Sequence, residues 1–221
     1  MQPVSVVKPG FGPTLPQLVG GLPRPLRVAA IALAALMVVV AATLALALRA
    51  AETNVIVRGP VTFNLTYGSK LERVTRPGAL LALRRERDGL FLDSYVVRRL
   101  DLPPYRGAVA GTLPAYAVRY LDELRGRYGA FELAADGRTR INNGIGHQLV
   151  LRARRGGRTL YVRHLLLVPD DREGLRRGVV VELESTPAAG TPNAVGVGNA
   201  GPLKQAMRSF RFGTERKGGT Q

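Results

Sequence analysis

The stretch "HQLVLRARRGGRTLYVRHLLLV", His147–Val168, decides the fold. Two runs with a period of two flank Gly156-Gly157, so the segment reads as a β-hairpin closed by a two-residue turn. That turn pairs Arg155 with Arg158 and Leu149 with His164, and side chains alternate between faces from there. Leu149, Leu151, Ala153, Leu160, Val162, His164 and Leu166 then share one face, the expected core face. Val150, Arg152, Arg154, Thr159, Tyr161, Arg163 and Leu165 share the other.

The same period extends outward. "AFELA" (130–134) and "RTRIN" (138–142) precede the hairpin and "GVVVELES" (178–185) follows it, making a run of antiparallel strands. Further upstream, "VTFNLTYG" (61–68), "ALLALRRE" (79–86) and "LFLDSYVVRRL" (90–100) read as strands, the last two joined by the turn Arg87-Asp88-Gly89. Between the two sets, after the loop "DLPPYRGAVAG", the period changes in "TLPAYAVRYLDELRGRYG" (112–129). Ala117, Tyr120, Leu121, Leu124 and Tyr128 recur at three- and four-residue steps, the stripe of a helix packed on a sheet. Thr112 is its expected N-cap and Gly129 its left-handed C-terminal residue. "LKQAMRSF" (203–210) reads as a closing helix, capped by Asn199 or Gly201 with Pro202 in its first turn. Strands, a central helix, strands and a C-terminal helix predict an α+β domain over 60–212, after a linker at 49–59 and before a disordered tail at 213–221.

Residues 28–48, "VAAIALAALMVVVAATLALAL", carry no charge and one polar side chain, Thr43. At about 1.5 Å per residue they span the ~30 Å hydrocarbon core of a bilayer. Ala45 and Ala47 offer an A-x-A signal-cleavage site, but signal cores run to about 15 residues and seldom follow so long a leader, which favours an uncleaved single-pass anchor. Residues 1–27, rich in proline and glycine, read as a disordered tail, within which Pro13–Pro16 spells a PxxP match. Lys8, Arg24 and Arg27 precede the anchor, against Arg49, Arg58 and Glu52 just after it; this bias predicts a cytoplasmic N-terminus and an extracytoplasmic C-terminal domain.

The 221 residues contain no cysteine, which excludes disulfides, thiolate metal sites and cysteine nucleophiles. All 16 acids and 28 of the 32 basic residues lie beyond the anchor, leaving +12 there. Such a charge asks for anionic neighbours, and outside a cell these are phospholipid headgroups and wall polymers, with no nucleic acid expected. Arginine outnumbers lysine 28 to 4, a bias that a GC-rich genome also produces.

Arg152, Arg154, Arg155, Arg158 and Arg163 are the candidate anion-binding residues, because guanidinium forks match phosphate and carboxylate geometry and no acid lies between 148 and 168. Glu182 and Glu184 share a face of the following strand and are expected to neutralise part of that surface. Their spacing of about 7 Å resembles the carboxyl separation of an inverting glycosidase, but any polar strand face produces it, and the chain has no Trp for a sugar platform. His147 falls diagonal to His164 at roughly 7–8 Å. A zinc pair would need further ligands among apolar neighbours, so the histidines read as packed and hydrogen-bonded, with no metal. Asp170 and Asp171 fit a turn after Pro169. Asn64-Leu65-Thr66 spells a glycosylation acceptor, informative only in a secretory eukaryotic context. "GVGNAG", Gly196–Gly201, matches G-x-G-x-x-G, but a proline-containing loop precedes it and Pro202 follows, so the βαβ context is missing and the stretch reads as a flexible linker with no cofactor.

The element order over residues 60–212, ending in "MRSFRF" with Ser209-Phe210, resembles the PsbP-like fold. The resemblance implies an anchored bacterial, actinobacterial, extracytoplasmic protein of a kind that binds partners and carries no catalytic residue. The expected function is therefore non-catalytic: binding of a partner protein or an anionic envelope component, or alternatively service as an accessory subunit of a membrane complex.

Overall fold

The computed structural model describes residues 23–50, 52–107, 109–170 and 177–214. The chain forms two units, Met1–Ala51 and Glu52–Gln221. In the first, helix α1 (Arg24–Ala50) contains the expected apolar segment, and Arg24–Leu44 has a mean hydropathy of 2.3. Its large side chains, Ile31, Leu33, Leu36 and Leu44 among them, are more than half exposed, and Thr43 turns its hydroxyl onto the Val40 carbonyl 3.0 Å away. The helix is long and apolar enough to cross a membrane. The PxxP stretch lies outside the described residues.

The second unit is built on a seven-stranded antiparallel sheet whose strands, in spatial order, are β3 (Glu72–Arg73), β4 (Ala79–Arg87), β5 (Leu90–Asp101), β9 (Arg177–Ser185), β8 (Arg158–Pro169), β7 (Gly144–Arg155) and β6 (Phe131–Ile141). The β7–β8 register is the one the sequence predicts, with Arg155 opposite Arg158 and Leu149 opposite His164. Helix α2 (Val109–Tyr128) covers one face, burying Ala117, Tyr120, Leu124 and Tyr128 on Leu149, Leu151, Val162 and Leu166. The other face is also covered. A small sheet, β1 (Glu52–Val57), β2 (Phe63–Gly68) and β10 (Arg211–Phe212), and helix α3 (Gly201–Ser209) enclose Leu165, Leu167, Val179, Val181 and Leu183. The hairpin thus has two core faces rather than one. Central strands buried on both faces read as near-continuous apolar runs, which accounts for "LLLV" at 165–168.

Several boundaries move. Residues 52–57, expected in a linker, form β1 and pair with β2. "AFELA" and "RTRIN" are one strand, β6, interrupted by a register shift between Leu133 and Ala135. Helix α2 starts at Val109, so Thr112 lies inside it rather than capping it, and Pro114 is tolerated near the N-terminus, where it forfeits one backbone bond. Gly129 closes the helix as expected, at φ 67°, its N–H donating to Arg125 O. The N-cap of α3 is Ala200, neither Asn199 nor Gly201.

The "MRSFRF" end is a clasp. The Ser209 hydroxyl accepts from Thr66 N at 2.8 Å and lies 2.9 Å from Thr66 O and 2.7 Å from Gln205 O. Phe210 is fully buried, stacked on Phe63 at 5.4 Å and edge-on to Phe212 at 5.3 Å. "GVGNAG" is packed rather than a free linker: Val197 is buried, and Gly198 at φ 78° lets the loop approach α3 and β9. A Cβ there would stand 2.6 Å from Met207 Sδ and 3.0 Å from Leu183 Cδ2.

Two glycine substitutions therefore separate yielding from rigid neighbours. Gly198→Ala meets a flexible methionine and a strained φ, and is expected to cost about 1–2 kcal/mol. Gly178→Ala would place its Cβ 2.1 Å from the Leu167 carbonyl oxygen in the sheet, which cannot swing aside. It should cost more, about 3 kcal/mol. Urea unfolding of both variants checks the order, and a Gly178→Ala protein as stable as wild type would contradict the packing.

Candidate functional site

Strand alternation places His164 of β8 and Glu182 and Glu184 of β9 on the α2 side of the sheet, with His164 directly opposite Glu182. All three are buried, at 0%, 1% and 2% exposure. Of the arginines that the sequence expects them to neutralise in part, Glu184 engages Arg155; the β8–β9 register turns both glutamates away from Arg152, Arg154 and Arg163. Buried ionisable groups demand partners, and α2 supplies them. Tyr120 Oη lies 2.9 Å from His164 Nδ1, and Tyr128 Oη lies 3.3 Å from His164 Nε2. Tyr128 donates to Glu184 Oε1 at 2.6 Å. One assignment of protons satisfies the chain: Tyr120 donates to Nδ1, Nε2–H donates to Tyr128, and Tyr128 donates to Glu184.

Arginines close the network at both carboxylates. Arg127, the neighbour of Tyr128 in sequence, donates to Glu182 Oε1 at 2.6 Å. Arg98 Nε stands 3.2 Å from the same oxygen, close enough to pair in charge but not aligned as a hydrogen bond. Arg155 grips Glu184 with both terminal nitrogens, at 3.1 and 2.8 Å, and its guanidinium lies 5.9 Å over the Tyr128 ring. Burial pushes the His164 imidazole down to about 4, keeping it neutral, and pushes both tyrosines up. Burial would raise Glu182, but the imidazolium form of His164, where it is populated, and Arg127 and Arg98 outweigh it and hold its carboxyl below the usual range.

Helix α2 packs over β6 and β7, and beyond it, beside β4 and β5, lies an open cleft of about 620 Å³. Arg76, Arg84, Arg155 and Arg158 line it, together with Ser94 and Glu184, which stand opposite each other on β5 and β9. Arg84 pairs with Glu86 and stacks over Phe91 at 5.5 Å, and Arg155 is engaged by Glu184. Arg76 and Arg158 make no ion pair among the described residues. The Ser94 hydroxyl is buried and without a hydrogen-bond partner.

The five arginines singled out from the sequence do not share one surface. Arg155 and Arg158 face the cleft; Arg152, Arg154 and Arg163 point to the opposite side of the sheet. Arg163 is buried there and donates to Val197 O at 2.9 Å and Asn199 Oδ1 at 3.2 Å, so it staples the "GVGNAG" loop to the sheet. Arg84, on β4, and Arg76, in the turn before it, escape a reading centred on the hairpin because they are distant from it in sequence. His147 is buried, with Nε2 3.9 Å from Asp136 Oδ2 and no hydrogen bond at Nδ1, so it lacks the bond expected of it. No group of three metal-ligating side chains occurs among the described residues. Asp170 accepts from Arg140, while Asp171 lies outside the described residues. Asn64 is buried and its amide donates to Gly213 O at 2.9 Å.

No protein-family model matches the chain, and no curated protein matches it in sequence. Among solved structures, the cyanobacterial PsbP (CyanoP) of Synechocystis sp. PCC 6803 is similar over 73% of this chain and 92% of its own, at 13% identity and a TM-score of 0.48. The Ran-binding protein Mog1p of Saccharomyces cerevisiae is similar over 72% and 94%, at 12% identity and 0.45. LpqN of Mycobacterium tuberculosis, involved in cell envelope biogenesis, is similar over 73% and 91%, at 9% identity and 0.46. The chain shares with them the PsbP-like α+β arrangement of an antiparallel sheet with helices packed on it, a likeness of fold alone.

The neutral His164 makes stability depend on pH. Its folded value lies below the ordinary 6.5, so the folded state resists a proton that the unfolded chain accepts. Stability is intact above about 6.5, falls as pH drops toward 4, and the loss amounts to about 3 kcal/mol. Urea unfolding at pH 7 and pH 4.5 should show it. His164→Gln is expected to be less stable at pH 7 yet to lose most of the slope, with His147→Gln as the comparison; an unchanged slope in His164→Gln would remove the imidazole as its source.

Proposed function

We propose that the chain is a membrane-tethered, non-catalytic binding domain on the extracytoplasmic side, and that it binds an anionic component of the envelope through the arginine-lined cleft. The observation that carries the reading is the one-sided charge of that cleft: four arginines against one carboxylate, Glu184, which Arg155 and Tyr128 already occupy. Uncommitted guanidinium groups at the rim of a concave surface are donors waiting for an anion. The non-catalytic reading is supported by the state of the polar network, in which His164 is bonded at both ring nitrogens and both glutamates are held by arginines. Helix α1 supports the tether, and the charge bias around it supports the orientation.

Two measurements test this. A reporter enzyme that works only outside the cytoplasm, fused after Gln221, should be active. Full-length protein in phosphatidylcholine nanodiscs should co-sediment with phosphatidylglycerol vesicles at low salt and be released at high salt. Arg76→Ser with Arg158→Ser should reduce that co-sedimentation severalfold, whereas Arg152→Ser with Arg154→Ser, on the other face, should reduce it less. Equal loss from the two pairs would deny the cleft its role.

A further inference from the structure

The two edges of the seven-stranded sheet are unlike. At one end β3 is only two residues long, and an edge so short offers a second chain little to pair with. At the other end β6 runs for 11 residues, and no described strand pairs with its outer side. The register shift between Leu133 and Ala135 interrupts its first part, but 135–141 pairs with β7 without a break and contains no proline. Backbone groups alternate in direction along an antiparallel strand. Ile141 and Gly144 flank the two-residue turn Asn142-Asn143 and bond to each other, so Thr139, Gly137 and Ala135 also turn inward to β7. The N–H and C=O groups of Asp136, Arg138 and Arg140 therefore point out of the open edge.

The side chains along this edge are complementary to themselves. Asp136 and Arg138 stand opposite Leu149 and His147, which places both on the α2 side of the sheet, and both are exposed. Arg140 is engaged by Asp170, and Asp136 approaches His147 at 3.9 Å, but Arg138 has no ion pair among the described residues. On the opposite side Ala135, Gly137 and Thr139 are small, and a Cβ on Gly137 would meet nothing within 4 Å. When a second β6 is laid antiparallel to the first about a two-fold axis at Gly137, Asp136 of each strand falls opposite Arg138 of the other. These are the residues whose backbone groups point outward, so one register joins the backbones and pairs the charges. A slip of two residues in either direction sets Asp136 against Asp136 or Arg138 against Arg138, and like charges directly opposite are destabilising.

We propose that this edge joins two copies of the chain, β6 against β6, into one continuous sheet. A backbone ladder this short is a weak contact in free solution, and copies held in one membrane by α1 meet at a far higher effective concentration. The two-fold axis keeps the faces of the sheet in common, so the dimer carries both arginine-lined clefts on one side. The pairing itself does not depend on the cleft binding an anion.

Energy transfer tests the pairing in the full-length chain. Donor and acceptor fluorophores carried after Gln221, in chains reconstituted together into phosphatidylcholine vesicles, should transfer energy, and the transfer should fall as lipid dilutes the chains. Asp136→Lys in both chains, or Arg138→Glu in both, sets like charges opposite each other, and each is expected to weaken association about tenfold. Both side chains are exposed, so neither reversal disturbs the core. Asp136→Lys in the donor chain with Arg138→Glu in the acceptor chain restores the ion pairs and should return transfer to the wild-type level. The chain has no cysteine, which allows the register to be checked directly. Ala135→Cys mixed with Thr139→Cys should form an interchain disulfide on oxidation with copper phenanthroline, because the two positions face each other across the axis, and neither variant alone should do so. Wild-type transfer no greater than random collision gives overturns the dimer. Undiminished transfer in both charge reversals puts the contact elsewhere, α1 included, and overturns it too, as does a disulfide that forms as readily in either cysteine variant alone as in the mixture.

Discussion

The central strands of the seven-stranded sheet, β5, β8 and β9, are buried on both faces, and that constraint governs every polar group in its centre. Arg163 and His164 are neighbours in β8, so their side chains enter opposite layers of the domain. Neither layer has water to offer. Arg163 finds a carbonyl and an amide oxygen in the Val197–Asn199 turn, and His164 finds two tyrosines on α2. Burial disfavours the charged state of both groups, lowering each from its ordinary value. For arginine the charge survives and must be solvated by protein dipoles; for histidine the proton is given up instead.

The cost of one misplaced partner in such a layer is high, because a buried group left unpaired forfeits its whole solvation. This explains why both covering layers are tied to the sheet by polar as well as apolar contacts. On one side, Tyr120, Arg127 and Tyr128 bring α2 down onto His164, Glu182 and Glu184. On the other, Ser209 joins the end of α3 to β2, and Arg163 holds the loop that leads into α3. The apolar contacts supply most of the free energy, and the polar ones select the register in which it is collected.

The same covering produces the cleft by leaving off. A single 20-residue helix cannot cover seven strands, and α2 packs at the β6–β7 side. The cleft lies beyond its reach, next to the buried network, and the Arg155–Glu184 pair belongs to both. Structure-stabilising and ligand-facing residues meet in that one ion pair.

The hairpin at 147–168, the central helix with its Ala117, Tyr120, Leu124 and Tyr128 stripe, the closing helix and the long apolar segment are all legible in the sequence, because each depends on local periodicity and turn chemistry. The register within the hairpin is legible for the same reason: two glycines at the turn set it. The candidate site is not. Glu182 and Glu184 are visible as a pair on one strand face, but which face depends on how β9 pairs with β8 across an intervening loop, and no local pattern encodes that pairing. Arg84 on β4 and Arg76 in the turn before it join Arg155 and Arg158 only because β4, β7 and β8 lie in one sheet, with β5 and β9 between them. Local chemistry determined the elements; the pairing of distant strands, driven by burial of both sheet faces, decided which charges are locked inside and which look out into the cleft.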